Sequence, residues 1–179
     1  MRVISGKYKN KQLDGFDING TRPTMDRVKE SLFASIQKYL KASVVLDLFA
    51  GSGSLGIEAL SNGSNACYFV DNNIKLIEII KKNTSNLNED IYILKKDYKE
   101  ALKYFKENNI TFDIIFLDPP YQMNLINSSI ELIEKYNLLN DEGIIVCEYE
   151  SEEVISNYEI LKTKKYGSKN IRIYINRGK

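Results

Sequence analysis

The sequence predicts an α/β fold, a doubly wound and mostly parallel sheet, and three observations carry that expectation. From about residue 43 onward, apolar runs rich in β-branched residues alternate with longer amphipathic stretches. A glycine-rich turn joins the first apolar run to the first of those stretches. The last segment, "YEILKTKKYGSKNIRIYINRG", reads as two strands around Gly167-Ser168 that close the sheet antiparallel.

Taken in order, the chain opens with "RVISG" and "KQLDG" about a polar turn, a short hairpin. "TRPT" then leads into a helix expected from about Asp26 to Tyr39, with Asp26 as its cap. The runs "SVVLDLF", "ACYFVD", "IYILKKD", "FDIIFLD" and "GIIVCEY" are continuously rather than alternately apolar, which suits strands buried on both faces. Between them, "SLGIEALSNG", "NIKLIEIIKKNTSNL", "YKEALKYFKENN" and "MNLINSSIELIEKYN" have the spacing of helices packed on a sheet. Residues 1–40 thus form a hairpin and helix ahead of a main unit, residues 41–179.

Composition bounds the chemistry. A chain of 179 residues fits one domain that buries about 70% of its unfolded surface, enough to enclose a pocket. It has no histidine, which excludes Ser-His-Asp triads, Cys-His pairs and histidine zinc sites. No metal is expected, and catalysis must use carboxylates, backbone or a cofactor. Cys67 and Cys147 each sit inside an apolar run and read as buried thiols of a reducing compartment, hence a cytoplasmic location. No signal core and no membrane-length apolar run is visible, so no membrane partner is expected. The net charge is only +1, but residues 1–30 carry seven basic against four acidic side chains, and residues 162–179 carry seven basic and none acidic. The middle of the chain holds the acidic excess.

"LDLFAGSGSLGIEAL" places Gly51, Gly53 and Gly56 in the spacing G-x-G-x-x-G between a strand and a helix. Such glycines permit a tight turn and close approach of a ligand to backbone at a helix N-terminus. Asp71 ends the next strand, where it suits a ribose hydroxyl pair. A dinucleotide and S-adenosylmethionine are both admissible on that basis. Asp47 tilts the choice toward the methyl donor, because a carboxylate there attracts the ammonium of a methionine moiety and repels a pyrophosphate. Asp97 ends the third run and suits an adenine amino group.

"DPPY" completes the pattern. Pro119 and Pro120 offer no N–H, so the turn after the fourth strand is rich in acceptors and poor in donors. A nucleobase amino group is a poor nucleophile because its lone pair is delocalised into the ring. The Asp118 carboxylate and the Pro119 carbonyl suit its two hydrogens and would aim its lone pair at an electrophilic methyl, with Tyr121 placed to stack on the base. Asp118 or water takes the released proton.

In "RVISGKYKNKQL", "TRPTMDRVKESLF", "VLDLFAGSGSLGIEALSNG", "FVDNN", "FLDPPY" and "KKYGSKNIRIY", the chain resembles the RsmD family of 16S ribosomal RNA (guanine-N2) methyltransferases. The resemblance implies a Rossmann-like class I methyltransferase fold, S-adenosylmethionine as cofactor, and methylation of one guanine of small-subunit ribosomal RNA in an assembled or assembling 30S particle. It assigns Asp118, Pro119, Pro120 and Tyr121 to catalysis. It assigns Asp47, Gly51, Gly53, Asp71 and Asp97 to the cofactor, together with their neighbours Phe49, Ala50, Ser52, Asn72 and Tyr98. The sequence departs from the family at Asp71, where Glu is common, and at Asn10-Lys11, where Gly-Arg is usual. At the front, Arg2, Lys7, Arg22, Thr24 and Arg27 are expected to hold the RNA backbone, although "TRPT" also serves as a rigid lead into the helix. A DNA adenine-N6 methyltransferase, an NAD-dependent oxidoreductase and a non-catalytic RNA-binding assembly factor are the competing readings.

Overall fold

A computed structural model of the chain describes residues 1–15, 23–120, 124–151 and 153–178. The elements run α1 (Pro23–Leu40), β1 (Val44–Asp47), α2 (Ser54–Ser61), β2 (Ala66–Asp71), α3 (Ile74–Thr84), β3 (Asp90–Lys95), α4 (Tyr98–Glu107), β4 (Phe112–Leu117), α5 (Leu125–Lys135), β5 (Leu139–Tyr149), β6 (Glu159–Tyr166) and β7 (Lys169–Ile175). One seven-stranded sheet has the order β3-β2-β1-β4-β5-β7-β6. Strands β1 to β5 pair in parallel, and β7 joins β5 and β6 antiparallel. The final hairpin therefore closes the sheet as expected, around Gly167 at φ +59.

The winding reverses between β1 and β4, which are adjacent although two strands and three helices separate them in sequence. In such sheets the crevice for ligands opens beyond the carboxyl ends of the strands at that reversal. Both faces are covered. Helices α1, α2 and α3 bury Phe33, Ile36, Ile57 and Ile77 against Val45, Phe69, Phe116 and Val146. Helices α4 and α5 bury Leu102, Phe105 and Ile130 against Leu46, Ile115 and Cys147. Adjacent strand residues thus feed opposite clusters, the period of two that makes each central strand apolar throughout. Strand β3 is the exception: it lies at the edge, and its residues are exposed or only partly buried.

Helix α1 begins three residues before the sequence suggested. Pro23 takes the first helical position, where its missing N–H costs nothing and its fixed φ is already helical. Asp26 consequently lies within the first turn instead of capping it, and accepts from Arg2 Nε at 3.4 Å. The helix runs antiparallel to the parallel strands. Its Lys29 Nζ reaches Ser54 Oγ at 2.9 Å, at the carboxyl edge. The carbonyl of Leu40 accepts from Ser43 Oγ at 2.7 Å, at the strand starts.

The front hairpin is reduced to one antiparallel bridge, Arg2 with Gln12, supported by Val3 N to Lys11 O at 3.0 Å and Leu13 N to Met1 O at 2.8 Å. Val3 and Leu13 nevertheless enter the same apolar cluster as α1 and the sheet. The described residues among 1–40 therefore share a core with the main unit. No described helix is long and apolar enough to cross a membrane.

Candidate active site

The crevice is built where β1, β2 and β4 end. Ala50 N bonds Val70 O at 2.9 Å and Gly53 N bonds Ala50 O at 2.8 Å, which folds the glycine loop back over the end of β2. Gly51 and Gly53 hold φ of +57 and +85, a region that L side chains enter only at a cost. The three glycines do different work. A Cβ at Gly51 would meet nothing within 4 Å, so its surroundings are open. A Cβ at Gly56 would lie 2.4 Å from Phe69 Cε1 and 2.7 Å from Cys67 Sγ. Gly56 thus lets α2 pack on β2, while Gly51 leaves room.

Carboxylates surround that room. Asp47 is 2% exposed beneath the loop and its Oδ2 accepts from Gly56 N at 3.0 Å. Burial, with the nearby charge of Asp71, pushes its carboxyl up to about 7 despite that hydrogen bond. Asp71 spans the turn after β2: Oδ2 accepts from Gly51 N and Oδ1 from Asn73 N, each at 3.0 Å. Asn72 is exposed beside it, and Asn73 caps α3 by accepting from Lys75 N. Asp97 caps α4 in the same way, accepting from Lys99 N at 2.9 Å. Phe49 and Tyr98 meet with ring centroids 5.5 Å apart, which brings the start of the glycine loop and the start of α4 together as one aromatic wall.

Asp118 and Pro119 follow β4 directly, and β4 pairs with β1 in a register that sets Asp47 opposite Phe116. Asp118 therefore lies two residues beyond that pair, on the same face of the sheet as Asp47 and at the same edge as Gly51. Desolvation first, then the charge of Glu148, raises the Asp118 carboxyl well above the usual carboxylate range, while Lys169 opposes the shift. Pro119 is buried and Pro120 exposed. Tyr121 lies outside the described residues.

Of the expected RNA contacts, Arg27 is exposed on the crevice half of α1. Arg2 is exposed too, its guanidinium shared between Asp26 and Asn10. Thr24 lies in the first turn of α1, and Arg22 is outside the described residues. Lys7 is elsewhere: its Nζ contacts Glu89 Oε1 at 2.6 Å. Together they line a cavity of about 510 Å3 with Ser61, Asn65 and Asp90, at the amino ends of β2 and β3. The structure thus separates Lys7 from the Asp118 edge.

Sequence reasoning missed two buried nodes that tie the front hairpin to the glycine loop. Asn83, 4% exposed, donates from Nδ2 to Ser52 O and Asp14 O at 2.9 Å each, and accepts from Asp14 N at 2.9 Å. Glu58, fully buried, accepts from Ile4 N and Ser5 N and lies 3.5 Å from Lys29 Nζ, which itself donates to Arg2 O and Ser54 Oγ. A signal existed for the second node, because Glu58 is the one charged residue in "SLGIEALS". It also missed Glu148 and Lys169, whose side chains meet at 2.6 Å beside Asp118.

Comparison with known proteins identifies the family to which the chain belongs. The family model described as Conserved hypothetical protein 95 matches residues 1–175. A Bacillus subtilis protein provisionally named rRNA methyltransferase YlbH is 40% identical over 184 residues, covering 99% of this chain and 100% of its own. Ribosomal RNA small subunit methyltransferase D of Haemophilus influenzae is 35% identical over 182 residues, covering 98% and 94%. A solved Escherichia coli structure, provisionally described as a methyltransferase, superposes with a TM-score of 0.85 at 29% identity, covering 100% of this chain and 99% of its own. A chain matched from its hairpin through its last strand, with an acceptor-rich turn and a glycine loop at one sheet edge, belongs to the Conserved hypothetical protein 95 family, the RsmD family.

Proposed function

We propose that this protein methylates the N2 amino group of one guanine in small-subunit ribosomal RNA, using S-adenosylmethionine. The observation that carries this reading is the placement of Asp118 and Pro119 beyond β4, at the edge where the glycine loop opens.

The residues at that edge suit the cofactor. Gly51 stands in open space, Asp71 ends β2 within reach of the Gly51 amide, and Phe49 with Tyr98 walls the side where Asp97 caps α4. Asp71, joined by Asp47 and Asp118 when these ionise, makes the crevice anionic, which favours a ligand carrying an ammonium and a sulfonium and opposes a pyrophosphate. When bound, the cofactor supplies an electrophilic methyl group. The chain's own work is alignment. Asp118 and the Pro119 carbonyl accept the two amino hydrogens, which fixes the base and turns the nitrogen lone pair out of conjugation. Asp118 or a water beside it accepts the proton that leaves. Arg2 and Arg27 contact phosphates while the target base is turned out of its stack, as enzymes acting on a base require. The particle is an assembled or assembling 30S subunit in the cytoplasm, and the reaction calls for neither metal nor membrane. Relatives named ribosomal RNA small subunit methyltransferase D support the choice of RNA.

The test is incubation with labelled methyl donor and undermethylated small subunits, with the product mapped by mass spectrometry. Label on N2 of a single guanine is expected. Methylation of bare duplex DNA with none of the subunits would overturn the reading.

A further inference from the structure

The turn after β4 grips an amino group without saying which base bears it, since adenine and guanine both carry one. The next two strands of the sheet supply what is missing. Leu117 pairs with Cys147 in the parallel register of β4 and β5, so the following residues, Asp118 and Glu148, come side by side on one face. Strand β7 runs the opposite way beside β5, with Ile171 opposite Glu148. Lys169, two residues before Ile171, therefore starts β7 at the same edge and on the same face. The Lys169 ammonium reaches Glu148 Oε1 at 2.6 Å, so long side chains from neighbouring strands already converge there. Glu148 Oε2 accepts no hydrogen bond among the described residues. The charges of Glu148 and Lys169 are both felt at Asp118, with opposite sign.

Across β4, β5 and β7 the edge thus reads acceptor, acceptor, donor: Asp118, Glu148, Lys169. Guanine's Watson–Crick edge reads donor, donor, acceptor: N2–H, N1–H, O6. Adenine's offers N6–H and then N1, an acceptor that would face the Glu148 carboxylate with no hydrogen between them. A flipped base is read through this edge, and a carboxylate facing an acceptor leaves both unpaired.

We propose that Glu148 is the residue that selects guanine, accepting the N1–H of the target base while Lys169 orients Glu148 and faces O6. This rests on the guanine-N2 reading above and names the residue that gives it base specificity.

The test uses the full-length protein on small subunits reconstituted with 16S RNA that carries either guanine or 2,6-diaminopurine at the mapped nucleotide. Both bases present a 2-amino group, but diaminopurine has an acceptor at N1 and an amino group in place of O6. Wild-type protein is expected to favour guanine in kcat/KM by ~10–100-fold, the discrimination typical of a good base contact. Glu148→Gln, whose amide donates to an N1 acceptor, should erase or invert that preference, with affinity for S-adenosylhomocysteine unchanged. Lys169→Met should slow guanine more than diaminopurine, which gives an independent arm if Glu148→Gln folds poorly. A wild type indifferent to the two bases, or variants that slow both equally, would overturn the assignment of Glu148. No transfer to either base by wild type would instead overturn the underlying guanine-N2 reading.

Discussion

At the scale of single residues, the site places carboxylates where water is scarce, and their titration should be visible. In the proposed mechanism Asp118 takes up the amino proton only when it is ionised, and its carboxyl is raised in the folded protein. The kcat/KM profile, which reports the free enzyme, should therefore fall on acidification well above the ordinary carboxylate range. Asp118→Ala should lower kcat by about 10²–10⁴-fold, the usual contribution of a positioned acid or base, with the dissociation constant for S-adenosylhomocysteine little changed in calorimetry. Asp47 gives a stability test. Its carboxyl sits at about 7 in the folded state, so the folded protein keeps a proton that the unfolded chain releases near pH 4. The stability this group contributes is complete below that lower value and is lost as pH rises toward 7. Asp47→Asn removes the loss, so the variant should gain in urea midpoint over wild type between about pH 5 and pH 8, while binding the cationic donor more weakly.

The glycine loop shows how one sequence motif divides its labour among elements. Gly56→Ala should destabilise the protein by about 1–3 kcal/mol, the range for overpacking a core, because the new methyl would press on Phe69 and Cys67. Gly51→Ala meets no neighbour but must hold a left-handed φ, so it should cost about 1–2 kcal/mol through backbone strain alone and lower donor affinity as well. Urea midpoints and calorimetry separate the two. Much of this was legible beforehand, because a run such as "DIIFLD" encodes both its burial and the acid at its end. The parallel run of strands follows from the apolar runs and the glycine loop, and the antiparallel close from Gly167-Ser168, whereas the order of the strands was not read from the sequence. The cap assigned to Asp26 was misread: Pro23 is itself a good helix start, and a single sequence does not say which of two permitted starts packing selects. The position of Lys7 was hidden for a different reason. It depends on Glu89, 82 residues away, and charge along the chain carries no information about such a pairing.

Over the whole molecule, the front segment and the main unit are one body. Val3, Leu13 and Phe33 pack in the same cluster as Val45 and Phe116, so thermal unfolding should show a single transition by both circular dichroism and calorimetry. Glu58 holds Ile4, Ser5 and Lys29 in that arrangement. Glu58→Ala removes the counter-charge of the buried Lys29 ammonium and the acceptor of two backbone amides, and should lower the stability of that one transition by about 3–5 kcal/mol without splitting it. The same body is closed by its latest part. Ser31 on α1 meets Tyr166 Oη at 2.6 Å and Lys164 Nζ at 2.9 Å, contacts that span more than 130 residues of chain. A polypeptide emerging residue by residue during translation therefore cannot complete the seating of α1 until residues 160–175 have been synthesised. Products stalled earlier would retain the glycine loop and "DPPY" yet lack the hairpin on which α1 rests.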